Sequence, residues 1–343
     1  MTVEIPSFAK INLGLRIGAL RADGFHELRT VYQTIALHDV IRVSVERGSG
    51  VEIRCDDPRV PTDSTNTCWR IAEQTMAALK MRGRVAIEID KRLPVQGGLG
   101  GASGNAIAAM LGLERAVGKK LSGPERLRIA AEVGSDLPLF LIGGTVLGVG
   151  RGEEVYPLPD LPAMPCVIAL PEIAVSTPKA FADWDRLFAK SRALPATDES
   201  HLKNSKLKNP APSDRMTEFS RELSAWLSAA SERSGRVAGV SSRAGGRAEN
   251  LLLDLVRTGI ENDFERVVFP QYPELQKVKR VLESAGAKYA SLSGSGSAIY
   301  GLFDSREKTV AAAKKLERGG TRAVVTSTLT RRQYKKRLLV VGY

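Results

Sequence analysis

The sequence predicts a two-domain protein of mixed α and β structure. Its 343 residues exceed the length that one hydrophobic core usually organises. Strand-like and helix-like segments alternate through the first half of the chain. A proline-dense connection at residues 157–165 then separates this half from the second. We therefore expect one domain at residues 1–160 and another at residues 161–343, the second with a polar insertion at about 191–247.

The first half contains three strand-like segments, at residues 11–17, 41–46 and 84–90, where apolar and polar side chains alternate. Helices are predicted at residues 66–79 and 123–133, because apolar side chains recur there at helical spacing. The predicted inner face of the first helix consists of Cys68, Ile71, Ala72, Thr75, Met76 and Leu79. A glycine-rich, β-like segment at residues 143–152 closes this half.

The second half opens with an apolar strand at residues 166–170. Residues 191–212 are polar and are expected to form a long excursion. A helix is predicted next, followed by a Ser/Gly/Arg-rich loop at residues 231–247. The inner face of that helix comprises Met216, Phe219, Leu223, Trp226 and Leu227. The remaining predicted elements are a helix at 274–285, strands from 288 and at 299–303, and a helix at 307–316.

Composition indicates a globular protein of a reducing compartment. Hydrophobic residues make up 43% of the chain and charged residues 26%, both ordinary for such proteins. Cys55, Cys68 and Cys166 have neither metal-ligand nor C-x-x-C spacing, so free thiols are expected. The N-terminal residues lack a signal-peptide pattern, and no apolar run approaches the roughly 20 residues of a membrane span. We therefore expect a cytoplasmic protein that does not engage a membrane.

The net charge of +12 raises the question of a nucleic-acid partner. Against this, the basic residues are dispersed, aromatic residues are only 6% of the chain, and no nucleic-acid-binding motif occurs. The densest basic run, at residues 331–337, is expected to be a solvated tail. A basic surface also suits an enzyme whose substrates carry several phosphates, so we expect no nucleic-acid partner.

The glycine-rich loop at residues 94–104 is the most informative segment. It lies between the strand at 84–90 and an alanine-rich run with an apolar helical face. Glycine allows positive φ and close approach of a ligand, and free N–H groups at a helix N-terminus attract anions. The loop therefore predicts a phosphate site, although a flexible turn also explains a glycine cluster. Neither G-x-G-x-x-G nor G-x-x-x-x-G-K-[ST] fits, since Ser103 stands where the third glycine belongs.

Four shorter features accompany this loop. Lys10 lies at the head of the first strand, and Phe25 and His26 follow a glycine turn. Asp136 lies just past a helix and before an apolar run, and residues 293–297 form a second Ser/Gly cluster. Each feature alone has a structural explanation as well: an exposed lysine, packed rings, a helix cap or a tight hairpin.

Taken in order, these features resemble the GHMP kinase superfamily, which uses the γ-phosphate of ATP without a Walker-type P-loop. Residues 94–106 look like its central P-x-x-x-G-L-G motif, and residues 291–303 look like its C-terminal glycine motif. Further segments resemble the superfamily members that act on a cytidine-diphosphate-linked methylerythritol. These segments are residues 8–13, 21–28, 97–101, 135–138 and 262–265. The resemblance covers nearly the whole chain except residues 191–247.

The resemblance implies ATP-dependent phosphorylation of the 2-hydroxyl of that substrate, in the non-mevalonate route to isoprenoid precursors. It also implies an α+β, two-domain GHMP kinase fold. The N-terminal domain would be like the second domain of ribosomal protein S5, and the C-terminal domain would be a ferredoxin-like α/β sandwich. ATP and Mg²⁺ are the implied cofactors, with Mg²⁺ held mainly through the ATP phosphates. We expect a monomer or a weak homodimer.

The resemblance also assigns residues. Asp136 matches the family's catalytic aspartate and Lys10 its catalytic lysine, which suits a proton acceptor kept ionised by a nearby ammonium. The substrate-binding positions are Asn12, Phe25, His26, Thr177 and Phe181. In these, the two phenylalanines would sandwich the cytosine and the histidine would bond its polar edge. The ATP-binding positions are Pro94, Val95, Gln96, Gly97, Gly98, Leu99, Gly100, Gly101, Ala102, Ser103, Gly104 and, near the adenine, Asn66.

The chain departs from the family pattern at three positions. Phe25 stands where many relatives carry tyrosine, and Ala102 and Gly104 stand where glycine and serine are common. A hydroxyl near the phosphates is therefore expected to be absent, and we expect no side-chain metal ligand. Two alternatives are a kinase of mevalonate, homoserine or galactose, and a non-catalytic nucleotide or RNA binder. The aromatic pair argues against the first, and Lys10 with Asp136 against the second.

Overall fold

The structure, a computed structural model, describes residues 1–95, 97–192, 212–235 and 260–339. Gln96 and most of the loop expected at residues 231–247 lie outside the described residues. So does most of the excursion expected at 191–212. Within the described ranges, the strands form two separate sheets, one in each half of the chain.

The first sheet has six strands, and the first glycine-rich loop connects one of them to a helix. The strands are β1 (Thr2–Leu20), β2 (His26–Glu46), β3 (Val51–Cys55), β4 (Arg84–Asp90), β5 (Thr145–Val149) and β6 (Glu154–Pro157). Their order is β3-β4-β2-β5-β6, and β1 pairs antiparallel with β2. The helices of this half are α1 (Thr67–Ala78), α2 (Gly101–Val117), α3 (Gly123–Val133) and α4 (Leu139–Ile142). Helices α1 and α2 bury their apolar faces against the sheet in one core.

Strands β1 and β2 extend far beyond the strands predicted at residues 11–17 and 41–46. Residues 5–18 of β1 are buried without interruption, so the polar/apolar alternation that marks a half-buried strand is lost. The pairing register also shifts between Phe8 and Ala9 and between Asn12 and Gly14. Such bulges change the phase of the side chains, which hides a long strand from a period-two pattern.

The second sheet has the strand order of a ferredoxin-like domain. Its strands are β7 (Pro165–Leu170), β8 (Tyr289–Leu292), β9 (Ile299–Leu302) and β10 (Arg322–Ser327). They lie in the order β10-β7-β9-β8 with antiparallel neighbours, so the fourth strand is beside the first. The helices are α5 (Thr177–Arg192), α6 (Pro212–Gly235), α7 (Glu265–Gln271), α8 (Pro273–Ser284), α9 (Arg306–Arg318) and α10 (Arg331–Leu339). This β-α-β-β-α-β arrangement matches the expected C-terminal domain.

The predicted helix in the insertion is present as α6, and it packs on the body of the protein. Phe219 and Trp226 of α6 are buried in a core that also contains Ile11 of β1. Arg215 pairs with the fully buried Asp263 just before α7. The helix continues to residue 235, so the first five residues of the loop expected at 231–247 are helical instead.

The basic segment at residues 331–337 is not the solvated tail that its charge suggested. It lies within α10, where Tyr334 is buried and its hydroxyl donates to the carbonyl oxygen of Phe140 at 2.6 Å. The Tyr334 ring lies 5.4 Å from that of Phe8, between centroids. The guanidinium of Arg331 also donates to two backbone carbonyl oxygens of the first half, while the other charged side chains of the segment stay exposed.

The division at residue 160 stays a prediction. The chain leaves the first sheet at the end of β6 and enters the second at β7, which agrees with a boundary between Pro157 and Pro165. However, α10 returns to pack on Phe8 and Phe140 of the first half. The last helix of the chain therefore belongs spatially to the N-terminal half.

Neither a disulfide nor a membrane-spanning helix occurs in the described residues. All three cysteines are free, as predicted. Burial raises the pKa of the Cys68 thiol to about 12, so this thiol is unreactive at neutral pH. None of the described helices is both long and apolar enough to cross a bilayer.

Candidate active site

The first glycine-rich loop ends at the N-terminus of α2 in a conformation that requires glycine. Gly98 has φ +72° and Gly100 has φ +70°, both in the left-handed region. Gly100 is the N-cap of α2 and supplies no side chain to bond the first N–H groups of the helix. These donors and the positive end of the helix dipole therefore remain available to an anion.

The second glycine cluster lies directly against the first loop. The Ser293 hydroxyl donates to the carbonyl oxygen of Gly98 at 2.9 Å, and the Ala298 N–H donates to that of Gly97 at 3.3 Å. The Nδ2 of Asn262, one of the motif residues, donates to the carbonyl oxygens of Leu292 and Gly294 at 2.8 Å each. The two loops thus form one continuous surface joining the two halves of the chain.

Lys10 lies beneath the first loop and is almost fully buried. Its backbone N–H donates to the carbonyl oxygen of Leu99 at 2.9 Å. Its Nζ donates to Oδ1 of Asn12 at 2.7 Å and lies 3.3 Å from Oδ2 of Asp136. The ammonium is therefore held beside the loop by one neutral and one charged partner.

Asp136 completes this group from the turn after α3. Its side chain is 33% exposed, so the carboxylate reaches the open part of the site. Oδ2 faces Lys10, and Oδ1 accepts a hydrogen bond of 2.9 Å from the Tyr32 hydroxyl. Sequence reasoning missed Tyr32, because only the pairing of Tyr32 with Asn12 across β1 and β2 places it here. The predicted catalytic pair is thus close together in space.

Asn12, predicted to bind substrate, is held by protein partners on both polar atoms. Oδ1 accepts from Lys10 Nζ and from the Gly294 N–H at 2.9 Å, and Nδ2 donates to Thr30 Oγ1 at 2.8 Å. Asn12 therefore links the lysine to the second glycine cluster and to β2. Its assignment as a substrate contact stays a prediction, and its observed contacts are those of a residue that positions Lys10.

The predicted pyrimidine-binding residues form two groups. The His26 ring stacks on Phe181 with centroids 4.8 Å apart and planes 10° apart, and His26 Nε2 lies 2.8 Å from Oδ1 of Asp185. The Phe25 ring is half-exposed, and the Arg151 guanidinium lies 4.8 Å from its centroid. One face of each phenylalanine is thus already occupied, by His26 in one case and Arg151 in the other. The sandwich of cytosine between them stays a prediction.

Thr177 connects the start of α5 to the second glycine cluster. Its Oγ1 lies 2.7 Å from the Ser295 Oγ, with either oxygen able to donate. The helix that carries Phe181 is therefore tied to the second glycine cluster, which itself contacts the first glycine-rich loop.

A cavity of about 250 Å³ opens beside the N-terminus of α2. Asn66, Val95 and Ala102, all predicted to bind ATP, contribute to its lining. The Asn66 side chain also caps α1, accepting from the Cys68 N–H at 2.8 Å. Lys91, which the sequence reasoning missed, lines the same cavity, and its Nζ donates to the buried Asp39 at 2.7 Å. The sequence does contain a signal for Lys91, because a basic residue stands there directly after β4 and before the glycines.

Gly104 does not face the open part of the loop. A Cβ at this position would lie 2.8 Å from the carbonyl oxygen of Phe8 and 2.9 Å from the Oγ of Ser7. The expectation that Gly104 marks a missing hydroxyl near the phosphates is therefore wrong, because the side-chain direction points to β1. Glycine here allows α2 to approach β1 closely.

Comparisons with known proteins identify the family of this chain. Family models described as "GHMP kinases N terminal domain" and "GHMP kinases C terminal" match residues 66–144 and 247–321. The 4-diphosphocytidyl-2-C-methyl-D-erythritol kinase of Solibacter usitatus is 36% identical over 332 residues, which cover 97% of this chain and 90% of the relative. This chain belongs to the 4-diphosphocytidyl-2-C-methyl-D-erythritol kinase family. It is therefore a small-molecule phosphotransferase of an ATP-dependent superfamily.

Solved structures confirm the two-domain GHMP kinase fold. A crystal structure of 4-(cytidine 5'-diphospho)-2C-methyl-D-erythritol kinase has a TM-score of 0.65 and 28% identity, covering 95% of this chain and 98% of that one. A homoserine kinase from Cytophaga hutchinsonii ATCC 33406 has a TM-score of 0.66 but 19% identity, covering 96% and 95%. The second likeness shows the fold alone. Membership of the 4-diphosphocytidyl-2-C-methyl-D-erythritol kinase family therefore rests on sequence, since the fold is shared with kinases of other substrates.

Proposed function

We propose that this protein transfers the γ-phosphate of ATP to the 2-hydroxyl of 4-diphosphocytidyl-2-C-methyl-D-erythritol, a step of the non-mevalonate isoprenoid pathway. The observation that carries the proposal is the Lys10–Asp136 pair, 3.3 Å apart, beside the contact between the two glycine loops. A partly exposed carboxylate next to an anion-binding helix N-terminus is the arrangement that a sugar-alcohol kinase needs.

In this mechanism, Asp136 accepts the proton of the substrate hydroxyl as its oxygen attacks the γ-phosphorus and ADP leaves. Lys10 keeps the carboxylate ionised and stabilises the charge on the transferring phosphoryl group. The N–H groups at the start of α2 hold the ATP phosphates, and the residues around Asn66 take the adenine. Asn12 keeps Lys10 in place rather than reacting. Most of the rate enhancement would come from positioning and electrostatic stabilisation.

Recognition of the cytosine is proposed to depend on which ring nitrogen of His26 carries the proton. A carboxylate accepts hydrogen bonds, so the contact with Asp185 places a proton on His26 Nε2. In the neutral ring, Nδ1 is then an acceptor, and it suits the exocyclic amino group of cytosine, which is a donor. Phe25 and Phe181 would supply the stacking surfaces.

Mg²⁺ is proposed to reach the site bound to ATP. Asp136 lies beside the two loops, and each of its oxygens already has a protein partner, Lys10 or Tyr32. This arrangement fits an ion held mainly by phosphate oxygens and water, as Mg²⁺ commonly is. When bound, the ion would neutralise charge on the phosphates.

The location of the enzyme, its ligand class and its oligomeric state are also proposals. Free, scattered cysteines support the cytoplasm, and the dispersed basic residues support small phosphorylated ligands over nucleic acid. We propose that the protein acts as a monomer or a weak homodimer.

A coupled ADP-release assay tests the substrate assignment. We expect ATP turnover that depends on 4-diphosphocytidyl-2-C-methyl-D-erythritol, and little turnover with mevalonate or homoserine, because those small substrates would leave the aromatic rings unused. Turnover with mevalonate or homoserine above that with the cytidine-linked substrate would overturn the assignment. Nucleotide binding without turnover of any of the three would favour a non-catalytic binding protein.

Replacing Phe181 with leucine is expected to raise KM for the cytidine-linked substrate by about 5- to 100-fold, because stacking of a base on an aromatic ring is worth about 1–3 kcal/mol. KM for ATP should change little, since Phe181 lies beside His26 and away from the cavity at Asn66. Steady-state kinetics with each substrate varied measure both values. The matched control is Phe188→Leu, which removes a buried aromatic from the same helix. If both variants raise KM for the cytidine-linked substrate equally, Phe181 does not act by stacking on the cytosine.

A further inference from the structure

We propose that Tyr32 is a positioning residue for phosphoryl transfer, because its hydroxyl holds the Asp136 carboxylate in the orientation that accepts the substrate proton. The inference rests on the role proposed above for Asp136. The Tyr32 hydroxyl donates to Oδ1 at 2.9 Å, while Lys10 Nζ lies 3.3 Å from Oδ2. The two carboxylate oxygens therefore have different partners, one neutral and one charged.

The Tyr32 side chain is closely packed. The side chain is almost fully buried, and it lies opposite Asn12 in the β1–β2 pairing. A Cβ on Gly148 would be 2.5 Å from the Tyr32 ring, and a Cβ on Gly152 would be 2.5 Å from its hydroxyl oxygen. The chain thus has glycine at two positions whose side chains would overlap the tyrosine. Its ring also lies against Lys10, whose Nζ is 5.5 Å from the ring centroid.

Holding the Asp136 carboxylate in one orientation favours proton transfer, because the carboxylate otherwise rotates easily about its terminal bond. Rotation about the last bond of an aspartate has broad, shallow minima, so an unsupported carboxylate samples many orientations. A donor on one oxygen and an ammonium at the other select one orientation and leave the remaining lone pairs toward the open side. Proton transfer is sensitive to such geometry, and a pre-oriented base avoids reorganisation during the reaction.

The tyrosine stays a donor over the working range of the enzyme. Burial and then the negative charge of Asp136 raise the pKa of the Tyr32 hydroxyl well above its usual value. Glu153, from the turn after β5, raises this pKa as well, and it is itself paired with Arg151 at 3.2 Å. Lys10 of β1 lies over the ring of Tyr32.

The variant Tyr32→Phe tests the proposal, because it keeps the ring and removes only the hydroxyl. We expect kcat to fall by about 10- to 100-fold, the loss typical of a hydrogen bond to a charged group. Both KM values should stay within a few-fold. Tyr334→Phe is the matched control, since it also removes a buried hydroxyl, one bonded to the backbone carbonyl of Phe140 and not to Asp136.

The double variant Tyr32→Phe/Asp136→Asn separates this proposal from the proposed function. If Tyr32 acts through Asp136, adding Tyr32→Phe to Asp136→Asn causes little further loss of kcat. A full further loss in the double variant overturns the positioning role while leaving Asp136 as the base. An unchanged kcat in Tyr32→Phe overturns it as well. So does a fall in kcat that Tyr334→Phe matches, since that result is one of general destabilisation. Wild-type turnover in Asp136→Asn alone would instead reject the base itself.

Discussion

Replacing Asp136 with asparagine is expected to lower kcat by about 10²- to 10⁴-fold, the range that general-base catalysis contributes. Asparagine has nearly the same shape and can still face Lys10 and Tyr32, but it cannot accept the proton of the substrate hydroxyl. KM values for both substrates should therefore change much less than kcat. The measurement is ADP release at saturating ATP and cytidine-linked substrate, with the folded fraction checked by circular dichroism.

Asp160→Asn provides the control for this variant. Asp160 is a similarly half-buried carboxylate, 25% exposed in its side chain against 33% for Asp136. Its oxygens accept from the backbone N–H groups of Thr145 and Arg331, outside the site. Its replacement should leave kcat within a few-fold. An Asp136→Asn protein that keeps more than a tenth of the wild-type kcat would show that another group accepts the proton.

Replacing Gly98 with alanine is expected to damage both stability and ATP binding. The φ of +72° costs an ordinary residue about 1–2 kcal/mol. In addition, the new Cβ would overlap the carbonyl oxygen of Ser293 and lie 3.1 Å from that of Gly296, and such overpacking costs about 1–3 kcal/mol. The two loops would separate, so KM for ATP should rise together with the loss of unfolding free energy. Urea unfolding and ATP kinetics measure the two effects.

Gly118→Ala isolates the contribution of the overlap. Gly118 ends α2 with φ +67°, nearly the same backbone conformation, but no described atom lies within 4 Å of the position of its Cβ. Alanine there should cost only the backbone strain and leave KM for ATP unchanged. If Gly98→Ala destabilises the protein no more than Gly118→Ala and binds ATP normally, the contact between the two loops does not shape the ATP site.

Local chemistry made several elements predictable. Helix α3 has the predicted bounds because Ser122 bonds the N–H of Glu125, a proline follows in the first turn, and glycine ends the helix. The glycine loop was predictable for a similar reason, since glycine takes left-handed φ values such as those at Gly98 and Gly100 without strain. Lys10 and Asp136 were predicted through family resemblance, and the structure brings them together. Their catalytic roles stay predictions.

Other features depend on which strands pair and with what register, and residue type carries little of that information. Nothing in the neighbourhood of Tyr32 along the chain indicates that it touches Asp136. Likewise, the charge of residues 331–337 suggested a tail, whereas burial of Tyr334 against Phe140 decides that the segment packs as a helix. In both cases long-range contacts outweigh the local pattern.

The sequence by itself determined the family and predicted the phosphate site and the residues proposed to perform the chemistry, because short-range rules govern glycine turns, caps and motif spacing. Only the tertiary structure decided how these parts meet. The contact of Ser293 with Gly98, the hydrogen bond from the Gly294 N–H to Asn12 and the hydrogen bond from Tyr32 to Asp136 all join segments far apart along the chain. Such contacts follow from the bulged register of β1 on β2 and from the packing of two sheets, which local preferences do not specify.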